Sequence, residues 1–418
     1  MTEERNRSNW AGNLRYAASE VYEPESIDEL RQVVAQEGSL RALGTRHSFN
    51  RIADTEHAQV SVRRLGGEPV IDADARTATV PAGARYGDLA IALEEQGWAL
   101  AALASLPHIS VAGAIATGTH GSGDRTGSLA SSVAGLELVT ADGSLLALRR
   151  GDPDFVGAVV SLGALGVTTS VTLDIEPSYE VEQHVIEGIP WAHVLNDLTG
   201  VTFAAHSVSL FTTWRDAETI DQGWFKRRPD RDDSLPRDHF GGSPAEGERH
   251  PLPGISPENC TQQLGVPGRW LDRLPHFRLD FTPSNGQELQ SEYLVPREHA
   301  VDAIRALQGL AHRIAPLLQV CEVRTVAADD LWLSPAYGCD VVGLHFTWEQ
   351  RQTEVEGLLS TIERELEPFA FRPHWGKLFM VGDVSARYPR AADFAELRRR
   401  LDPARKFDNA FLDAHLPR

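Results

Sequence analysis

Lysine is almost missing from this chain. Among the 40 lysines and arginines of its 418 residues, only Lys226, Lys377 and Lys406 are lysines. Base composition accounts for an arginine-rich background, yet a lysine retained in it holds a compact ammonium that a guanidinium cannot copy. Cysteine is equally scarce. Cys260, Cys321 and Cys339 stand far apart, which excludes a disulfide framework and a C-x-x-C metal pair and makes a reducing cytoplasm the expected location. Positive charge is in deficit. The formal net charge of −19 disfavours nucleic acid and anionic membrane as partners. No apolar run approaches the roughly 18 residues of a membrane span, and the longest candidate, residues 99–106, is far too short. The start, Met1-Thr2-Glu3-Glu4-Arg5-Asn6, is polar and has no apolar core of a targeting signal. G-x-x-x-x-G-K-[ST], H-E-x-x-H and G-x-S-x-G are also absent, so nucleotide hydrolysis, zincin and esterase readings lose support.

Two glycine-rich histidine segments dominate what is present: Gly44-Thr45-Arg46-His47-Ser48-Phe49 and Thr117-Gly118-Thr119-His120-Gly121-Ser122-Gly123. Glycine admits close backbone approach, and clustered N–H groups suit a pyrophosphate. Two such loops point to one large phosphate-containing cofactor held between two layers. His47, His108 and His120 each read either as packing residues or as cofactor contacts.

The length exceeds what one core usually serves, so two domains are expected. Ser26-Ile27-Asp28-Glu29 forms a capping box before Ile27, Leu30, Val33 and Val34 at helical spacing. Strands are expected over 40–43, near Val60 and over 77–81, and a helix around Leu89–Leu93. Residues 133–139 and 145–148 flank Asp142-Gly143, a hairpin with a two-residue turn. Val171, Leu173 and Ile175 alternate with polar residues as in a half-buried strand. This irregular mixture is α+β and not a βαβ repeat. Further on, strands are expected over 181–186, 207–211, 317–326 and 341–348, and helices over 297–314 and 354–366. Residues 228–259 read as a long surface loop.

The strand over 317–326 places Glu322 and Arg324 on one face, and the next places His345 and Thr347 likewise. Ionisable groups in apolar strands are costly unless paired or used. Two readings stand: a structural Glu–Arg pair at a sheet edge with a core histidine, or a site. Arg372-Pro373-His374-Trp375-Gly376-Lys377 reads alone as a turn bearing a lysine. No histidine pair has metal spacing, so no metal is expected.

Taken together, these segments resemble the vanillyl-alcohol-oxidase-type flavoproteins with a two-part FAD domain, and among them the alditol oxidases. The resemblance includes Asn9-Trp10-Ala11-Gly12-Asn13, the His47-Ser48-Phe49-Asn50 loop, Ala104 to Gly113, Ala116 to Gly123, Ser161 to Val167, Glu322 to Ala328, His345-Phe346-Thr347-Trp348 and His374-Trp375-Gly376-Lys377, in order along nearly the whole chain. One position departs from it. Where the family loop reads Gly-Ser-Gly-His-Ser, this chain has Gly44-Thr45-Arg46-His47-Ser48.

The resemblance implies an FAD domain over 1–176, a mixed-sheet substrate cap over 177–372, and a segment over 373–418 that returns to the FAD domain. It makes His47 the covalent attachment point of FAD. It places Ala42, Leu43, Gly44, Thr45, Arg46, Ser48, Ser105, Ser110, Gly113, Thr117, Gly118, Thr119, His120, Val167 and His374 along the cofactor. A polyol would meet Ser105, Glu322, Arg324, Thr347 and Lys377. The implied reaction oxidises the terminal CH–OH of an alditol such as xylitol or sorbitol to the aldose and reduces dioxygen to hydrogen peroxide. For such a reaction the chemistry of these side chains suggests that Arg324 and Lys377 favour an alkoxide, that His345 takes the hydroxyl proton because an imidazole is poised near neutral pH, and that Glu322 either orients hydroxyls or is itself the base. The related alternative is a sugar-1,4-lactone oxidase or dehydrogenase. A monomer with small-molecule partners is expected.

Overall fold

The computed structural model describes residues 7–281 and 287–417; the polar start over 1–6 lies outside them. A small parallel sheet comes first, with strands β1 (Glu20–Tyr22), β2 (Leu40–Ala42) and β3 (Ala58–Val60) in the order β1-β3-β2. Helix α1 (Ile27–Gln36) connects β1 to β2 and buries Leu30 and Val34. These pack with Leu40, Val60, Val167 and Phe407. Ser26 caps the helix by accepting from Glu29 N at 3.2 Å. Glu29 reaches back to Glu25 N at 2.9 Å, one residue beyond the partner of a capping box.

An antiparallel sheet follows: β4 (Val70–Asp72), β5 (Thr77–Pro81), β6 (Val133–Val139), β7 (Leu145–Arg149) and β8 (Val167–Asp174), in the order β4-β5-β8-β6-β7. The hairpin at Asp142-Gly143 is present, but its loop is longer than two residues. Thr140 N donates to Ser144 O at 2.9 Å, and Gly143 takes φ +81. Strand β8 alternates buried and half-buried residues along its length, as its pattern required. Helix α2 (Tyr86–Glu94) and the short α3 (Val111–Ala116) lie in the connection from β5 to β6, and α3 delivers the second glycine loop.

The rest of the chain builds a large sheet from β9 (Glu180–Pro190), β10 (Ser207–Thr212), β11 (Thr219–Arg227), β12 (Ser243–Pro244), β13 (Leu289–Pro296), β14 (Leu318–Val326), β15 (Val341–Trp348) and β16 (Arg372–Pro373). The order is β12-β9-β11-β10-β14-β15-β13-β16, with Gly268–Arg269 pairing the start of β9. Every strand pair described in it is antiparallel, so the expectation of a mixed sheet is corrected. Helices α4 (Ala300–Gly309) and α5 (Gln352–Leu366) cover one face with Ile304, Leu307, Leu358 and Ile362, in the same core as Val323, Leu344 and Phe346. Helix α4 stops at Gly309, and a separate turn, Ala311–Ile314, follows where one helix was expected. Residues 228–259 are not a free loop. Strand β12 pairs with β9, Arg228 bonds Glu176 at 2.9 Å, and Arg228 N donates to Asp233 at 3.0 Å.

Arg41 on β2 ties three other segments to that strand without a hydrogen bond to a carboxylate. Its guanidinium donates to the carbonyls of Gly163 and Phe407 through Nη1 and of Ile52 and Leu162 through Nη2, at 2.6–3.1 Å. Buried carbonyls left unpaired are costly. Arg41→Met removes all four bonds and is expected to destabilise the protein by about 3 kcal/mol or more. A urea unfolding midpoint equal to that of the unchanged protein would exclude this role.

Candidate active site

A cavity of about 1080 Å³ runs from the small parallel sheet to the large sheet, at the upper end of the roughly 300–1,000 Å³ of ligand sites. Its first wall is the loop after β2. An added Cβ at Gly44 or at Gly113 would come within 2.8 Å of Ser110 Oγ. Two bare backbones therefore converge on one buried hydroxyl, which has no hydrogen-bond partner. Thr45 ties the same loop to α3 by accepting from Ser110 N at 3.1 Å. All the residues expected along the cofactor line this cavity except Gly118. Gly118 is a turn residue with φ +65, where a Cβ would sit 3.0 Å from Pro335.

His47 stacks on Trp10 with ring centroids 5.5 Å apart. Its Nδ1 is buried without a partner. Burial, and then the proximity of His108, push its pKa down to about 4, so the ring is neutral. Arg46 occupies the left-handed region at φ +66, a conformation glycine adopts freely and other residues adopt at a cost of about 1 kcal/mol.

The other wall is the face of the large sheet opposite α4 and α5. Glu322, His345 and Glu292 stand in register across β14, β15 and β13. Strand β14 lies inside the sheet, not at its edge. Glu292 is fully buried. It accepts from Arg324 Nη2 at 2.6 Å and Lys377 Nζ at 2.5 Å, and faces His120 Nε2 at 3.3 Å. Burial pushes its pKa up, but Arg324 and Lys377 outweigh that and hold the carboxyl well below its ordinary range. Glu322 accepts from His276 Nε2 at 2.9 Å and lies 3.7 Å from Arg324 Nε and 3.6 Å from His345 Nδ1. Burial again opposes ionisation, and Arg324 and His276 again prevail.

His345 differs from its expected state. Burial, and then Lys377, lower its pKa well below the ordinary value, so it is a neutral ring and not one poised near neutrality. Gln290 donates to Glu288 at 2.6 Å, so its Oε1 accepts from His345 Nε2 at 3.1 Å. The lone pair of His345 is thereby left on Nδ1, beside Glu322. Burial lowers Lys377 to about 8, against the attraction of Glu292.

Ser105, Glu322, Arg324, His345, Thr347, His374 and Lys377 all reach the cavity, as do His120 and His47. Sequence reasoning missed Glu292, Gln290 and His276. A carboxylate two residues from Gln290 in an apolar stretch was the available signal for β13, the same signal that singled out Glu322 and Arg324. It also missed His250, Leu252 and Ile255, which residues 228–259 contribute to the wall. Among the described residues, His120, Glu292 and His374 bring ligand atoms within 4.8 Å of one another. Glu292 is already held by two cations, and His374 Nδ1 accepts from Gly376 N at 3.0 Å, so this donor set does not suit a metal ion.

Lys377 owes its place to the first loop. Asn50 Nδ2 donates to Trp375 O at 2.8 Å and Lys377 O at 2.7 Å, and Phe49 N donates to Gly376 O at 2.8 Å. Trp375 anchors the turn by stacking on Tyr388 at 5.1 Å and donating to Leu333 O at 2.8 Å. Asn50→Ala is expected to release this turn and cut turnover at least about tenfold while cofactor remains bound. Unchanged turnover in a folded variant would contradict it.

Residues 18–149 match the family model described as FAD binding domain, and residues 283–415 match that described as D-arabinono-1,4-lactone oxidase. The chain is 50% identical over 410 residues to an alditol oxidase of a Streptomyces species, covering 97% of each chain. It is 30% identical over 428 residues to an L-gulono-1,4-lactone dehydrogenase of Mycobacterium tuberculosis, again over 97% of each. The solved structure of cholesterol oxidase from B. sterolicum shares the fold at a TM-score of 0.75 and 16% identity, covering 98% of this chain and 96% of that one. With half its residues shared along nearly its full length, the chain belongs to the alditol oxidase family of vanillyl-alcohol-oxidase-type flavoproteins.

Proposed function

We propose that the protein oxidises the terminal CH–OH of an alditol, such as xylitol or sorbitol, to the aldose, with FAD attached through His47 and dioxygen reduced to hydrogen peroxide. One observation carries the reading. A single cavity joins the His47 and Ser110 loops to a sheet face bearing Glu322, Arg324, His345 and Thr347 beside Lys377. The residues fit the cofactor: two glycines leave room at an unpartnered serine hydroxyl, and a neutral histidine offers an unpartnered nitrogen. In the proposed division, residues 1–176 and 373–418 hold FAD and 177–372 hold the alcohol.

FAD, when bound, supplies the hydride acceptor and passes the electrons to dioxygen. The remaining work belongs to the chain. His345 Nδ1 takes the hydroxyl proton, and Glu322 at 3.6 Å compensates the imidazolium that forms. Arg324 and Lys377, themselves largely withdrawn from solvent, stabilise the developing alkoxide. Ser105, Thr347 and Glu322 offer hydrogen bonds to a chain of hydroxyls, and a site of this kind discriminates strongly against substrates lacking them. The lactone alternative rests on the match of residues 283–415; peroxide release with xylitol or sorbitol, and not with gulono- or galactonolactone, decides between them.

Two outcomes are expected. Acid-precipitated protein stays yellow, and His47→Ala releases its colour into the supernatant; loss of colour from the unchanged protein would reject the covalent bond. For the second, Lys377 is a cation below about 8, so kcat/KM for the alditol declines as pH rises through that value. Glu292→Gln removes the anion that favours the protonated form and moves this decline to lower pH. Lys377→Met lowers the rate of flavin reduction at least about a hundredfold, and a pH profile flat across 7 to 9 would remove Lys377 from the chemistry.

A further inference from the structure

Among the buried ionisable groups that the chemistry above leaves unused, Lys226 touches the wall of the site. It lies on β11, is 1% exposed and makes no ion pair with a carboxylate among the described residues. Its three ammonium protons meet three acceptors: Leu274 O at 2.5 Å, Pro275 O at 3.2 Å and His276 Nδ1 at 3.0 Å. Below about pH 7 Lys226 is an ammonium with no lone pair to offer, so His276 Nδ1 accepts from it and Nε2 carries the proton. Nε2 then donates to Glu322 Oε1 at 2.9 Å. The ring is held edge-on between Phe211 and Trp224, with centroids 5.5 and 5.2 Å away. The backbone beside it does a second job, since the N–H groups of His276 and Phe277 both donate to Ser105 O, at 3.1 and 3.2 Å. Lys226 does not line the cavity, whereas Ser105, His276 and Glu322 do.

We propose that Lys226 is a positioning residue for the alcohol site: it fixes the tautomer of His276 and the place of the 274–277 segment, and through them presents Glu322 as a hydroxyl acceptor and seats Ser105. With Lys226 absent, Glu322 alone favours the proton on Nε2, and the Nδ1–H tautomer becomes accessible. Nε2 then turns a lone pair toward a carboxylate, and Glu322 swings from its register. The inference deepens the proposed alditol oxidation and rests on it for the identity of the ligand. Burial lowers Lys226 to about 7, with Glu322 the chief opposing charge, in keeping with coupling between the two.

The test uses the flavin-loaded protein. Lys226→Met is expected to raise KM for xylitol about tenfold, to change kcat less than about threefold, and to narrow the preference for xylitol over its deoxy analogues, because the interaction lost is uniform binding of hydroxyls. In a His276→Gln background, where an amide N–H reaches Glu322 whichever way Lys226 points, adding Lys226→Met should cost less than about twofold. A folded Lys226→Met protein with unchanged KM and discrimination overturns the proposal, as does an equal loss toward alditol and deoxy analogue. If Lys226→Met holds no flavin, His276→Leu measured in the same way carries the test. Should no polyol reduce the unchanged protein, the proposed function fails, and ring-15N histidine spectra still test the pairing. A single Nε2–H tautomer of His276 that becomes a mixture in Lys226→Met supports it; identical spectra overturn it.

Discussion

A carboxylate with no access to water organises this site. An isolated carboxylate in such a place would cost several kcal/mol or neutralise itself. Glu292 is stable there because Arg324 from β14 and Lys377 from the 374–377 turn converge on it, with His120 from the loop after α3 alongside. Gly343 leaves the space, since a Cβ there would lie 2.9 Å from Glu292 Oε1. Three segments distant in sequence are therefore correct together or not at all. The pairing also governs charge. Glu292 and Glu322 balance Arg324 and Lys377, and burial keeps His276, His345 and His374 neutral. The histidines then act as hydrogen-bonding groups with a defined lone pair.

This arrangement was partly legible from sequence. Period-2 spacing identified β14 and β15 and put Glu322 with Arg324 and His345 with Thr347 on single faces. It did not say that the faces were the same, because register across strands depends on pairing partners remote in the chain. Glu292 stayed hidden for a related reason. Its strand, β13, pairs with β15 and β16, and nothing local in Leu289–Pro296 marks the carboxylate as a bridge between two cations. The hairpin at Asp142-Gly143 shows the same limit on a small scale, since turn chemistry located the reversal but not the number of residues in it.

The glycine loops were more legible because their chemistry is local. A backbone stripped of side chains predicts close approach, and Gly44 and Gly113 approach Ser110 closely. Gly118 lies outside the cavity lining and takes a left-handed turn, and a glycine required for such a turn looks the same in sequence as one required for a ligand. Arg46 shows the converse. It stands where the family has glycine and keeps the left-handed backbone at φ +66, so the surrounding bonds, among them Trp10 N to Arg46 O at 2.8 Å, determine the loop more strongly than the residue's own preference.

The scarcity of lysine now has a structural counterpart. Positive surface charge in this protein is carried by arginine, and each of the three lysines is withdrawn from solvent. Lys226 and Lys406 are 1% and 8% exposed, and the Lys377 side chain is 13% exposed. Lys406 Nζ bonds the carbonyl of Val34 at the end of α1, Lys377 bonds Glu292, and Lys226 bonds three acceptors around His276. At Lys226 the position asks for donors radiating from one point into a narrow space, whereas a guanidinium spreads its donors over a plane. Base composition explains why arginine prevails elsewhere; the three acceptors around Lys226 explain why it stops there.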